Sequence, residues 1–345
     1  MKTNKDFLDG LHKTYNNNLN FISDLYTYLN NHFPLLSSPK SSYNHQIKKE
    51  IIDSFVEKAP LLKDKENDVF YLNKNLRFKD GNRYLDNPYL NLLIQLKKEN
   101  PALPYFLDYI KPYEIFLSSD SYLQTDSNLY YIFLGFSNKE ITYPIFNFSN
   151  HRKQMLLPRV IDSTYLQLKV IKGKILVLGL RDGYFAFMSS LNEKVKEITV
   201  VEHDQEVIDF FEKNILPKCG NKNKIKIINK DAYGFLDDVK DQDFDYIFGN
   251  IWTNAFTGVT KYLKLKSRLD SYKYTRCIYF MEESIVTELG MSLTNAILSG
   301  PESPYYSKLK EYKFESIYDY RKVFTFHGLL DFFKKWFWEE SRALR

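Results

Sequence analysis

The sequence predicts an α/β fold, a doubly wound parallel sheet preceded by a helical N-terminal region and a β-hairpin. Three observations carry this. From Lys174 onward, short apolar runs alternate with helical segments, the pattern of parallel strands joined by crossover helices. At the other end, a one-sided apolar stripe at helical spacing runs from Leu8 to Phe33. Between them lie two aromatic-rich runs separated by Ser137-Asn138-Lys139-Glu140. The expected organisation is a helical domain over 1–120, a hairpin and linker over 121–160, and the sheet domain over 161–345.

Leu8, Leu11, Tyr15, Leu19, Ile22, Tyr26, Leu29 and Phe33 form the stripe, and Pro34 stops it. A second helix is expected over Gln46–Lys58, with Ile47, Ile51 and Phe55 on one face. Asp80-Gly81 marks a turn. Asn87 then caps a helix whose first residue is Pro88, whose apolar face is Leu90, Leu93, Ile94 and Leu96, and which ends before Pro101. Leu129–Phe136 and Ile141–Phe148 make the expected hairpin. His12, His32 and His45 read as surface histidines, because no second ligand stands at metal spacing.

The sheet begins with Lys174–Leu178, an apolar run ended by Gly179 and suited to a strand covered on both faces. A helix follows over Gly183–Leu191, then a strand at Ile198–Val201 and a helix from Gln205 to Leu216, ended by Pro217. Further strands are expected at Lys224–Ile228, Phe244–Phe248 and Cys277–Phe280.

Composition sets outer limits. With 44% hydrophobic and 26% charged residues in 345, wholesale disorder is excluded. A net charge of +5 does not demand nucleic acid or an anionic membrane. Lys261, Lys264, Lys266, Arg268 and Lys273 read as a solvated helix face, with a nucleic-acid contact left open. The 27 Tyr and 27 Phe read mainly as core. Cys219 and Cys277, far apart, make neither a disulfide framework nor a zinc motif, so a reducing, cytoplasmic location is expected. No signal-peptide pattern or membrane span is read. Leu329–Trp338 is aromatic-rich and reads as core or a homodimer contact.

Ligands in doubly wound sheets bind beyond the carboxyl ends of the strands. The candidates there are the turn Gly179-Leu180-Arg181-Asp182-Gly183-Tyr184, then Glu202 and His203, Asp231 and Ala232, and Asn250. A glycine turn lets backbone approach a ligand, and the following helix offers free N–H groups. Glu202, 23 residues after Gly179, can accept both hydroxyl protons of a ribose. Asp182 is equally suited to capping the next helix. A G-x-G-x-x-G fingerprint fails, since Arg181 and Tyr184 occupy two of its three glycine positions, and no Walker loop occurs.

The stretches KILVLGLRDGYFAFMSSL, ITVVEHDQEVIDFFEKNILP, KIKIINKDAYGFL and FDYIFGNIW resemble the S-adenosylmethionine-binding core of class I methyltransferases, in their spermidine-synthase-like branch. The resemblance covers roughly 155–300 and implies a Rossmann-like class I methyltransferase sheet. It places the methionine end of S-adenosylmethionine at Gly179–Tyr184, its ribose at Glu202 and its adenine at Asp231-Ala232, with no metal. Polyamine synthases carry G-G-G-D-G-G at this turn, so Asp182 falls on their aspartate and Arg181 replaces a glycine. Asn250 stands where those enzymes place the carboxylate that deprotonates the attacking amine, and an amide cannot accept that proton. Methyl transfer to an already nucleophilic atom needs alignment more than a base. The resemblance therefore implies a methyltransferase with a small-molecule acceptor. The alternatives are a catalytically degenerate binding or scaffold protein and a polyamine aminopropyltransferase. No catalytic residue is assigned beyond Asn250 as a weak candidate.

Overall fold

The structure is a computed structural model that describes residues 39–40, 42–58, 65–118, 122–124, 129–131, 133–149 and 153–285. The expected stripe Leu8–Phe33, with His12 and His32, and the segment Leu329–Trp338 lie outside the described residues.

Among the described residues the front region holds eight short strands: β1 (Leu76–Phe78), β2 (Tyr105–Ile110), β3 (Phe116–Leu117), β4 (Tyr122–Gln124), β5 (Leu129–Tyr131), β6 (Leu134–Phe136), β7 (Ile141–Asn147) and β8 (Lys153–Met155). The expected hairpin is corrected here. β6 pairs with β1 and β3, whereas β7 pairs with β2 and β8 in a different sheet. β2 offers β7 a six-residue antiparallel ladder from Tyr105↔Phe146 to Ile110↔Ile141, and that long-range partner takes β7 away from β6. A short polar connection brings two strands close without dictating that they pair.

The back region is the predicted sheet: β9 (Gly173–Leu178), β10 (Val195–Glu202), β11 (Ile225–Asn229), β12 (Tyr246–Gly249) and β13 (Arg276–Tyr279). All four pairings are parallel, in the order β11-β10-β9-β12-β13. Residues 175–178 and 246–249 are buried throughout, as continuous apolar runs covered on both faces require. The order reverses beside β9, so the crevice between the ends of β9 and β12 is the switch point where ligands bind. The helix expected over Gln205–Leu216 is α-helical only to Phe210 and continues as a π-helical turn over Phe211–Ile215.

Front and back share one buried cluster running from Tyr84 to Ile285, across both 120/121 and 160/161. The fastening sits at the glycine turn. Asn87 caps the helix Pro88–Glu99 by accepting from the amides of Tyr89 and Leu90, each at 3.1 Å. Its Nδ2 donates to the Tyr184 hydroxyl at 3.2 Å, and the Tyr89 hydroxyl donates to the Asp182 carbonyl. A second tie is Asp162 on the helix Pro158–Val170, which pairs with Lys79 at 3.1 Å and accepts from the Tyr84 hydroxyl at 3.2 Å.

Asn87→Ala removes a cap and a buried contact to Tyr184 together. It should lower unfolding free energy by about 2 kcal/mol, read as a lower urea midpoint at unchanged slope.

Candidate functional site

The turn after β9 is built around positive backbone angles. Gly179 (φ +94), Arg181 (φ +55) and Gly183 (φ +78) all sit in the left-handed region. A Cβ on Gly179 would lie 2.4 Å from the Asn250 carbonyl oxygen, so this glycine lets the ends of β9 and β12 meet backbone to backbone. A Cβ on Gly183 would strike the Phe211 ring at 2.6 Å. Arg181 has no such excuse, and a side chain in this conformation costs roughly 1 kcal/mol.

Glu202, at the end of β10, holds the turn in place. Its Oε2 accepts from the amide of Leu180 at 2.9 Å and, at a long 3.4 Å, from that of Arg181. Its Oε1 accepts from the amides of His203 and Asp204 at 2.8 and 3.0 Å. His203 Nδ1 adds a contact at 3.0 Å, with its ring mostly in solvent. The carboxylate is 6% exposed and bonded on both oxygens. The 3.4 Å contact is the weakest of the four and the one another donor can displace at least cost.

The Arg181 side chain crosses the switch point. Its Nη1 donates to Asn250 Oδ1 at 3.2 Å and to the Trp252 carbonyl at 2.8 Å, and the guanidinium lies 4.8 Å from the centre of the Phe280 ring. Trp252 is fixed in turn by its indole N–H, which donates to the Phe280 carbonyl at 2.9 Å. Burial pulls the Arg181 guanidinium below its ordinary value, Asp182 pushes it back and Arg159 pulls again; the group stays a cation. Among the described residues, two buried atoms on this wall have no hydrogen-bond partner, the donor Arg181 Nε and the acceptor Gln154 Oε1.

Two cavities meet at that wall. The first, about 200 Å³, gathers Gly179, Arg181, Glu202, His203, Asp231, Ala232 and Asn250 of the expected site. Asp231 caps the helix Ala232–Leu236 by accepting from the Gly234 amide at 2.9 Å. Asp182, Gly183 and Tyr184 do not line this cavity. Asp182 accepts from the Tyr184 amide at 3.0 Å, and Tyr184 faces Asn87 and Tyr89. The second cavity, about 420 Å³, lies beyond Arg181 and reaches Arg159, Asn254, Phe280 and Met281. Gln154, Arg181, Trp252, Thr253 and Lys261 line both. Taken singly, the first is small for a ligand site, where about 300 Å³ is a usual minimum; the second is not.

Sequence reasoning missed Gln154, Arg159 and Lys261. Gln154 comes from β8 in the front region, and no local pattern marks it. Lys261 leaves the solvated basic face by donating to the Ile251 carbonyl at 3.1 Å. Of its expected companions, Lys264 lies over the Tyr233 ring, Lys266 pairs with Asp270 and Arg268 with Asp237. Burial pushes the Cys219 thiol up to about 11 and that of Cys277 to about 12, so neither supplies a thiolate near neutrality. Among the described residues, no group of three or more His, Cys, Asp or Glu could hold a metal, and no helix is long and apolar enough to cross a membrane.

Residues 160–260 match the family described as the spermine/spermidine synthase domain. That match covers under a third of the chain, the stretch that carries β9 to β12 of the parallel sheet, and over it the chain is similar to that family. No curated protein matches the sequence. Among solved structures, a conserved hypothetical protein of Streptococcus pyogenes is 15% identical over 34% of this chain and 72% of its own, with a TM-score of 0.27. A Klebsiella pneumoniae protein assigned as an O-methyltransferase is 19% identical over 31% of this chain and 47% of its own, with a TM-score of 0.25. Scores this low carry no argument about the fold, which rests on the strand order and the family match.

Asp182 gives a prediction with a sign. Burial raises its carboxyl above the ordinary carboxylate value, while Arg181 and the Tyr184 amide pull it back. A raised folded-state value means that the folded protein holds this proton longer than the unfolded chain. Its contribution to stability is therefore present at low pH and is lost as pH rises from the ordinary carboxylate range through the raised value. Asp182→Asn keeps an acceptor for the Tyr184 amide and abolishes that loss. Unfolding free energy measured from pH 4 to 7 should fall less in Asp182→Asn than in the wild type.

Proposed function

We propose that the protein is an S-adenosylmethionine-dependent methyltransferase. The observation that carries this is the pair of unpartnered buried atoms on the shared wall, the Arg181 Nε donor and the Gln154 Oε1 acceptor. A zwitterionic amino-acid end answers both, its carboxylate to Arg181 and its ammonium to Gln154. Decarboxylated S-adenosylmethionine, the donor for aminopropyl transfer, has no carboxylate to meet Arg181.

The other residues suit the same cofactor. Glu202 would take the ribose through the position now held by the long Arg181 amide contact. Ala232 opens a helix, so its amide is free of an intrahelical bond and, with the Asp231 carboxylate, would meet the adenine edge. When bound, S-adenosylmethionine supplies an electrophilic methyl carbon; the acceptor atom bonds to it as its bond to sulfur breaks, and the electron pair returns to sulfur.

This chain's residues then align and desolvate. Asn250 is held by Arg181 through its Oδ1 and offers no proton acceptor of carboxylate strength. Aminopropyl transfer, which must deprotonate the substrate ammonium before its nitrogen can attack, lacks that base at this position. Trp252 and Phe280 close the wall beneath the guanidinium and keep water from the transfer line.

Calorimetric titration with S-adenosylmethionine, S-adenosylhomocysteine and the decarboxylated cofactor tests this. The first two should bind at least tenfold more tightly than the third. Arg181→Gly, which relieves the backbone and removes the guanidinium, should erase that preference. A preference for the decarboxylated form, or no binding of any of the three, would overturn the methyltransferase reading.

A further inference from the structure

The larger cavity is cationic, and its remaining lining mixes apolar side chains with the uncharged polar Gln154, Thr253, Asn254 and Thr257. Arg159, Arg181 and Lys261 line it, and no carboxylate does so among the described residues. The three cations are not equally engaged. Arg181 is bonded to Asn250 and Trp252, and Lys261 donates to Ile251. Among the described residues the Arg159 side chain has neither a hydrogen bond nor an ion pair, and its Nε is buried without a partner. It also lies close enough to Arg181 for the two guanidiniums to repel. Asp182 and Glu202 offset the Arg181 charge from outside this cavity, but Arg159 has no carboxylate facing it within the lining, and like charges held together in a partly dry cavity favour an anion joining them.

Three further features point the same way. The helix Ala255–Leu269 starts at this cavity, with Asn254 and Thr257 on its lining, and so turns the positive end of its dipole inward. The remaining lining includes Leu157, Val160 and Phe280, an apolar bed. Arg181 and Met281, two of the four non-glycine residues with positive φ among the described residues, both line it, and such strain gathers at functional sites.

We propose that this cavity takes the methyl acceptor, and that the acceptor carries an oxyanion, carboxylate or phosphate, on an apolar body, anchored by Arg159. The proposal rests on the methyltransferase reading for the word acceptor, and on the cavity alone for the anion. It excludes polyamines, which three cations would repel.

Calorimetric titration of the full-length protein with benzoate, phenyl phosphate, benzamide and spermidine decides it. One of the two anions should bind, and which one separates carboxylate from phosphate recognition. Neutral benzamide should bind at least tenfold more weakly, and spermidine should give no heat. Arg159→Gln should weaken the anion at least tenfold, and Arg159→Lys should recover part of the loss. Both variants should keep wild-type affinity for S-adenosylhomocysteine, which also shows that they are folded. Equal binding of benzoate and benzamide, preference for spermidine, indifference to Arg159→Gln, or no binding of any probe would overturn the proposal. Anion binding through Arg159 without S-adenosylhomocysteine binding would support the anion site and sink the methyltransferase reading.

Discussion

The Glu202 carboxylate is the constraint on which the site depends. It accepts from the amides of Leu180 and Arg181 on the turn after β9 and from those of His203 and Asp204 beyond β10. These four N–H groups stand at strand ends, where no ladder partner remains for them, and one buried carboxylate answers them together. It thereby fixes the curvature of the turn and, with it, the left-handed backbone of Arg181. A ligand hydroxyl arriving here meets an acceptor already oriented and desolvated, so little ordering is left for binding to supply.

Arg181 turns that geometry into a divided site. A glycine at this position would hold the same φ without strain, and the two cavities would merge. The arginine accepts the strain and sets a guanidinium between Asn250, the Trp252 carbonyl and the Phe280 ring. One compartment then carries the acidic strand ends Glu202 and Asp231, and the other carries Arg159 and the start of the helix Ala255–Leu269. The two compartments therefore differ in the charged groups that line them. The front region is part of this division, because Gln154 and Arg159 come from β8 and from the helix Pro158–Val170.

Much of the sheet was legible because its signals are local. Ile175–Leu178 is a run of apolar residues ended by Gly179, and in the front region the Asn87-Pro88 pair announces a cap and a first helical residue through chemistry contained in two positions. The family resemblance read from four strand ends agrees with the match over 160–260. The front region was less legible. Leu129–Phe136 and Ile141–Phe148 read as partners because only four polar residues separate them, yet the strands Leu134–Phe136 and Ile141–Asn147 within them each found a partner elsewhere. Pairing is decided by ladders such as Tyr105↔Phe146, formed between residues distant in sequence.

The sequence by itself determined the parallel α/β core, the positions of its turns, and the set of polar residues at its strand ends. Each depends on periodicity, glycine or capping chemistry within a few residues. Only the tertiary structure decided what those residues do with their hydrogen bonds. Glu202 spends its lone pairs on backbone amides, Asp182 turns away from the cavity to cap Tyr184, and Lys261 leaves a basic helix face to join Arg159 and Arg181 around one cavity. A side chain's electrostatic partners come from segments that the chain brings together only on folding, and no window along the sequence contains them.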